Sequence, residues 1–400
     1  MDFPAIVEAA VVEPLGLRGA LRGPLHDLLF AVKDNYNVRG LAQRCGSPRL
    51  AELSRPERRH AALVGAALRE GATLFGRAVM DEFAYGIEGI NIHDGTPIAP
   101  DDASRVCGGS SSGCASLVAA GVVDFALASD TAGSIRVPAA WCGIFGYRPP
   151  IGELDGRGVL PLAPTFDVPG MMARNVSILE LVLESICPLR QTSLTPAIVT
   201  SLVELVQEGV AIEPSIGRMF ALVMAAIAGN KRDAQRIILE AGETAEFVSV
   251  LRTIQSIEAR AQWWPFVAPN RATLAPWILQ RFVDAGAVSA NEALSARSRR
   301  SQLLLQWRER LGAEKILIFP TLPCSAPRKD ASVEERARVR QESMRSVAFG
   351  SVLGAAQLHI PAPPIDGAHW GISLLTFCRD RRVLWQRAAE VVEALSRTSA

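Results

Sequence analysis

The segment from Cys107 to Arg136, CGGSSSGCASLVAAGVVDFALASDTAGSIR, restricts the fold more than any other part of the chain. A Gly/Ser loop opens it. Small residues follow, and the pattern predicts a helix from about 113 to 120, slim enough to lie close against a neighbour. The apolar run from about 122 to 128 is short and bounded by turn residues, which predicts a buried strand. A tight turn at 130–134 ends it. Loop, helix, strand and turn in such quick order imply a helix layered on a sheet.

The flanking sequence extends that pattern. Leu28 to Val32 reads as a short buried strand with Lys33 at its end, and 57–70 has helical spacing through Ala61, Leu63, Val64, Ala67 and Leu68. Strands are expected at Ala72–Gly76 and 142–148, with a short helix at Val79–Tyr85. From about 176 to 310 the pattern is mostly helical, as in 176–186 and 216–239, with Gly and Pro as punctuation. The strand Lys315–Phe319, a charged helix at 332–348, a strand at 371–377 and a helix from about 381 to 396 close the chain. The first strand is expected almost at the start. No tandem repeat or low-complexity linker interrupts the 400 residues, which read as one unit.

Charge and cysteine usage exclude several classes. A formal net charge of +1 calls for neither nucleic acid nor an anionic membrane. The clusters Arg299-Arg300 and Arg379–Arg382 read as solvated surface. The seven cysteines are scattered without a CxxC pair, and the five histidines have no ligand spacing such as HExxH. The expectation is no metal, no cofactor and no disulfide framework, with reduced thiols in a cytoplasmic protein. The N-terminus lacks a basic n-region, and the longest apolar stretch, Met219 to Ala228, falls short of the ~20 residues that span a bilayer.

Two clusters carry chemistry. Gly108-Gly109-Ser110-Ser111-Ser112-Gly113 could cradle phosphate at a helix start, but it lacks the Gly-Lys-Ser/Thr ending of a phosphate loop; alone it reads equally well as a surface turn. The second is Asp130-Thr131-Ala132-Gly133-Ser134-Ile135-Arg136 on a strand-to-helix turn. There a serine can attack a carbonyl while neighbouring N–H groups hold the oxyanion.

Taken together, the clusters resemble the amidase-signature family, which carries a GGSS(G/S)G loop and, 24 residues after its first serine, a (T/S)DxxGSxRxP turn. Here these stand at 108–113 and at 129–138, SDTAGSIRVP. The family's AVKD motif is present as Ala31-Val32-Lys33-Asp34. The segments 23–40, 71–100, 142–170, 319–323 and 371–377 also follow its pattern, whereas 190–250 is too generic to align. The blocks VMDEFAYGIEGIN and GTPIAP are similar to those of short indole-3-acetamide hydrolase-like members. The resemblance implies a three-layer α/β/α sandwich with a central mixed β-sheet, built from core motifs at 25–175 and 312–398 around a helical insert at about 176–310.

It also implies a set of roles. Ser134 would be the nucleophile, with Ser110 and Lys33 as its proton relay and a cis Gly109–Ser110 peptide. The N–H groups of Thr131, Ala132, Gly133 and Ser134 would form the oxyanion hole, and Ser111, Asp130 and Arg136 would support the loops. A lysine can act as base only when neutral, a form that burial favours. Cys107 stands where relatives usually have proline and Cys114 where serine is common; both read as small buried hydrophobes. Trp263-Trp264 and Trp277 read as packing, and His93 as a structural loop residue. The implied substrate is a small primary or aryl amide, and the implied assembly a homodimer. The alternatives are a urea-derived amide of the biuret or allophanate type, the amidase subunit of a glutamyl-tRNA amidotransferase, and an inactive binding protein. A positive group near the pocket would favour the urea-derived amide.

Overall fold

The computed structural model describes residues 2–188, 201–229 and 235–398, and its centre is one sheet of eleven strands. In chain order they are β1 (Val11–Leu17), β2 (Leu29–Lys33), β3 (Thr73–Ala78), β4 (Phe125–Asp130), β5 (Phe145–Arg148), β6 (Val168–Ala173), β7 (Ser201–Gln207), β8 (Arg236–Leu239), β9 (Lys315–Pro320), β10 (Ala356–Ile365) and β11 (Ala368–Thr376). Across the sheet the order is β1-β3-β2-β4-β6-β5-β10-β11-β9-β7-β8. The β3-β2-β4 and β9-β7-β8 neighbours are parallel, and the remaining pairs are antiparallel. The sheet is therefore mixed, as the resemblance implies.

Strand alternation sends successive side chains to opposite faces. Phe30 and Val32 of β2 and Phe125 and Leu127 of β4 join one core, under helices Ala62–Arg69, Val176–Ile186, Pro214–Ala228 and Arg382–Thr398. Phe30 stacks on Phe125 with ring centroids 5.2 Å apart. Burying each such ring contributes roughly 1.5–3 kcal/mol. The opposite face of the same strands is all small: Ala31, Ala126 and Ala128 meet Cys114, Ala115 and Val118 of helix Ser112–Ala119. Further along, Val203, Leu205, Leu317, Phe319 and Leu375 pack beneath the long helices Ala241–Val267, Ala290–Leu311 and Val333–Leu353. Helices thus cover both faces of the sheet. Among the described residues no helix is long and apolar enough to cross a membrane.

Several expectations need correction. A helix, Phe3–Ala10, precedes the first strand, β1, which pairs with β3. Val79–Tyr85 holds only a 3-10 turn at Glu82–Ala84. The expected helix 216–239 ends at Ala228, and Arg236–Leu239 is a strand because its apolar residues extend the parallel edge beyond β7. The region 176–310 therefore adds two strands, β7 and β8, besides its helices. β6 and β10 were not foreseen either.

Candidate active site

β2 and β4 lie side by side and parallel, with Phe30 opposite Phe125 and Val32 opposite Leu127. Their carboxyl ends emerge together, the place where open α/β sheets collect ligand sites. Lys33 ends β2, and Ser129 and Asp130 end β4. Helix Ser112–Ala119 starts at the same spot. Gly113 lets it approach: a Cβ there would stand 2.5 Å from the Ala10 carbonyl oxygen and 2.6 Å from the Val79 nitrogen. The Gly109–Ser110 peptide is cis, as the resemblance implies.

These elements bring the three expected residues into one hydrogen-bonded line. Lys33 Nζ donates to Ser110 Oγ at 2.8 Å, and Ser110 Oγ donates to Ser134 Oγ at 3.0 Å. Lys33 also donates to Ser129 Oγ at 3.0 Å and to the Ser129 carbonyl at 3.4 Å. Asn35 Nδ2 donates to the same Ser129 hydroxyl at 3.1 Å. Lys33 and Ser110 are fully buried. Burial disfavours the ammonium and pulls the Lys33 pKa down to about 8. The nearby thiols supply no countercharge at neutral pH, since burial pushes Cys114 up to about 12 and raises Cys45 as well.

Asp130 organises the turn that carries Ser134. Its Oδ1 accepts from the Gly133 N–H at 2.9 Å and its Oδ2 from the Ile135 N–H at 3.0 Å. Arg136 donates to it from Nε and Nη2 at 3.0 and 2.9 Å. Burial by itself would raise the Asp130 pKa, but Arg136, Arg148 and the Gly133 hydrogen bond outweigh burial and hold the carboxyl well below its usual range. This revises the expected oxyanion hole. The Gly133 N–H is committed to Asp130, whereas those of Thr131, Ala132 and Ser134 have no hydrogen-bond partner among the described residues. Gly133 still needs to be glycine: its φ is +109°, and a Cβ would stand 3.0 Å from side-chain carbons of Val137 and Val347. Ser111 Oγ donates to the Ser129 carbonyl at a long 3.4 Å.

Behind the turn, polar contacts cross the sheet. Arg136 Nη1 donates to Gln357 Oε1 at 3.0 Å and to the Val347 carbonyl at 2.9 Å, while Nη2 donates to Ser351 Oγ at 2.7 Å. Gln357 Nε2 donates to Ser373 Oγ at 2.8 Å, and Thr321 Oγ1 bridges Ser373 at 2.8 Å and His359 Nδ1 at 2.7 Å. Asp130→Ala would leave Arg136 and Arg148 buried without their carboxylate. Urea unfolding is expected to show a loss of about 3–5 kcal/mol, with turnover falling as the Gly133 and Ile135 anchors go.

Ser134 and Ala132 open onto a cavity of about 360 Å³, whose wall includes Tyr85, Ile87, Met344, Arg252, Arg281 and Arg340. Cys107 and Cys114 lie fully buried outside it, Cys107 donating to the Pro97 carbonyl and Cys114 to that of Leu127. His93 Nε2 pairs with Glu82 Oε1 at 3.1 Å, and Trp263 packs against Phe83 with centroids 4.9 Å apart. Trp277 is 41% exposed and is not part of the wall.

Sequence reading missed other residues at the site. Ser129 and Asn35 sit inside or beside the quoted motifs and could have been found there. Asp167 accepts from Thr131 Oγ1 at 2.5 Å and from the N–H groups of Leu162 and Ala163. Asp81 accepts from the Gly89 N–H at 3.2 Å, and burial raises its pKa to about 7. The three arginines gave no signal.

Comparisons with known proteins identify the family. Residues 9–219 match the family model described as Amidase. Amidase 1 of Oryza sativa subsp. japonica is 33% identical, over 94% of this chain and 91% of its own length. The 1-carboxybiuret hydrolase subunit AtzE of Pseudomonas sp. (strain ADP) is 40% identical over 44% of this chain and 38% of its own. Among solved structures, an inhibitor-bound complex tied to the origins of an s-triazine catabolic enzyme superposes with a TM-score of 0.81 at 26% identity, covering 94% of this chain and 85% of that one. With a plant amidase matched almost end to end and the family model covering more than half of its residues, this chain belongs to the amidase family and is a hydrolase of amide C–N bonds.

Proposed function

We propose that the chain cleaves a small amide through an acyl-enzyme on Ser134. The observation that carries this reading is the continuous line from Lys33 through Ser110 to Ser134, buried at one end and opening onto a cavity at the other. With Lys33 neutral, both hydroxyls can turn to donate the other way. Ser134 Oγ then attacks the amide carbonyl as its proton passes to Ser110 Oγ, and the Ser110 proton passes to Lys33 Nζ. The new C–O bond places negative charge on the carbonyl oxygen, beside the free N–H groups of Thr131, Ala132 and Ser134. Lys33 returns its proton through Ser110 to the leaving nitrogen, the C–N bond breaks, and ammonia or an amine departs. Water repeats the cycle and releases the carboxylate. Ser111, Asp130 and Arg136 act in this scheme by holding the two loops.

The substrate reading begins with a primary or aryl amide such as indole-3-acetamide. The second reading, a urea-derived amide of the biuret or allophanate type, is favoured by the arginines on the cavity wall. A cytoplasmic homodimer belongs to the same proposal. Acid-quenched turnover mixtures should carry the acyl mass on the peptide holding Ser134, and the chain alone should release ammonia. Release only in the presence of a partner protein would instead favour an amidotransferase subunit. An acyl adduct on any other side chain would refute the mechanism.

A further inference from the structure

The buried arginines of this protein are paired with acids. Arg44 is held by Asp34 and Asp94, Arg77 by Glu13, and Arg381 by Glu153. The wall above Ser134 carries three less enclosed arginines, Arg281 and Arg340 half-buried and Arg252 exposed. Arg252 comes from helix Ala241–Val267, Arg281 from helix Pro276–Asp284 and Arg340 from helix Val333–Leu353, and all three face the cavity that Ser134 opens onto. Arg281 donates to the Tyr85 carbonyl and stands 3.7 Å from Glu88. Arg252 and Arg340 have no hydrogen bond, ion pair or ring contact among the described residues. Asp284 is the single carboxylate on the wall, and it accepts from Gln280 Nε2 at 2.7 Å.

The cavity therefore carries surplus positive charge. Burial lowers the Arg252 pKa, and repulsion from Arg340 and Arg345 adds to it. Burial likewise pulls Arg281 down to about 10, with Arg340 again contributing. Three cations converging from three helices are unfavourable until an anion enters. Guanidinium forks match a carboxylate in geometry as well as charge.

We propose that the substrate is a small amide that also bears a carboxylate, held by Arg252 and Arg340 with Arg281 in support, while its amide carbonyl meets Ser134. The proposal rests on the Ser134 chemistry above and selects among the amides that chemistry would accept. It favours a carboxylated amide over a neutral aryl amide such as indole-3-acetamide.

The test compares amides that differ only in a terminal carboxylate or methyl: succinamate with butyramide, and malonamate with propionamide. For at least one pair, kcat/KM should favour the anion by about tenfold or more, the scale of one or two charge-assisted hydrogen bonds. The preference should appear in KM, shrink in high salt, and fall toward one in the Arg252→Gln/Arg340→Gln variant. A ratio near one for both pairs in the unaltered protein, or a ratio the double variant leaves unchanged, overturns the proposal. Should that variant not fold, succinate protection of Ser134 against a neutral fluorophosphonate decides on the unaltered protein: protection by succinate but not by butyramide supports it, and equal effects refute it. The same reagent separates the two readings. Labelling of Ser134 without anion preference sinks the proposal and leaves the mechanism standing. No labelling and no turnover sinks the mechanism, and calorimetric binding of succinate to Ser134→Ala protein then decides the arginines alone.

Discussion

Ser134→Ala is expected to lower kcat by about 10⁴- to 10⁶-fold while leaving the fold intact, as measured by ammonia release and by thermal unfolding of the same preparation. The size follows from what the side chain does. Without Oγ there is no acyl-enzyme, and Ser110 and Lys33 have no proton to accept. What survives is substrate binding and the N–H groups of the turn, which in serine hydrolases sustain only a small remainder over water. The fold should hold because the turn is fixed by Asp130, Gly133 and Ile135 and not by the Ser134 hydroxyl. An alanine variant that kept most of its turnover would place the nucleophile elsewhere.

The second large effect is a dependence on pH. Lys33 loses its proton near pH 8 in the folded chain and near its ordinary 10.5 when unfolded. The rate should therefore rise with pH through about 8 and then level off, because only the neutral amine can accept a proton from Ser110. Lys33→Met should remove that inflection and lower kcat by about 10³-fold or more, within the range that loss of a relay member produces. Stability moves in the same direction. Between pH 8 and 10.5 the unfolded chain binds more protons than the folded one, so stability rises across that window, by about 3 kcal/mol in all. Below pH 8 the penalty for the buried ammonium is present in full. Asp81 has the opposite sign in a lower window: its carboxyl, ordinarily near 3.8 and raised by burial to about 7, makes stability fall as pH rises between those values. Denaturant midpoints at pH 7.5 and 10 should separate in the unaltered protein and converge in Lys33→Met.

What could be read in the sequence was local. Lys33, Ser110 and Ser134 lie within short patterns, and β2, β4 and the helix between their loops are continuous in residues 29–130. Gly113 and the alanines of β2 and β4 announce close packing before any coordinate does. Strands carrying proline were hidden. β10 contains Pro361, Pro363 and Pro364, yet it sits between β5 and β11. Its pairing with β5 spans only Gln357 to His359, so no proline is asked for an N–H on that side. β6 was masked in the same way by Pro169 and Gly170. The cationic wall was beyond reach for another reason. Arg252, Arg281 and Arg340 belong to separate helices far apart in the chain, and only tertiary packing brings them to one wall.

The polar contacts behind the Ser134 turn have a consequence for how the molecule comes apart. Arg136 ties the turn to Gln357 on β10, and from there Ser373 and Thr321 continue to β11 and the end of β9. The turn thus belongs to the same cooperative unit as the C-terminal half of the sheet. Local opening of β9 to β11 would release Arg136 and, with it, the carboxylate that shapes the turn. The most N-terminal strands stay paired in such an opening while hydrolysis has already stopped, so the weakest link for activity is the β10-β11-β9 stretch of the sheet and not the strand that carries the lysine.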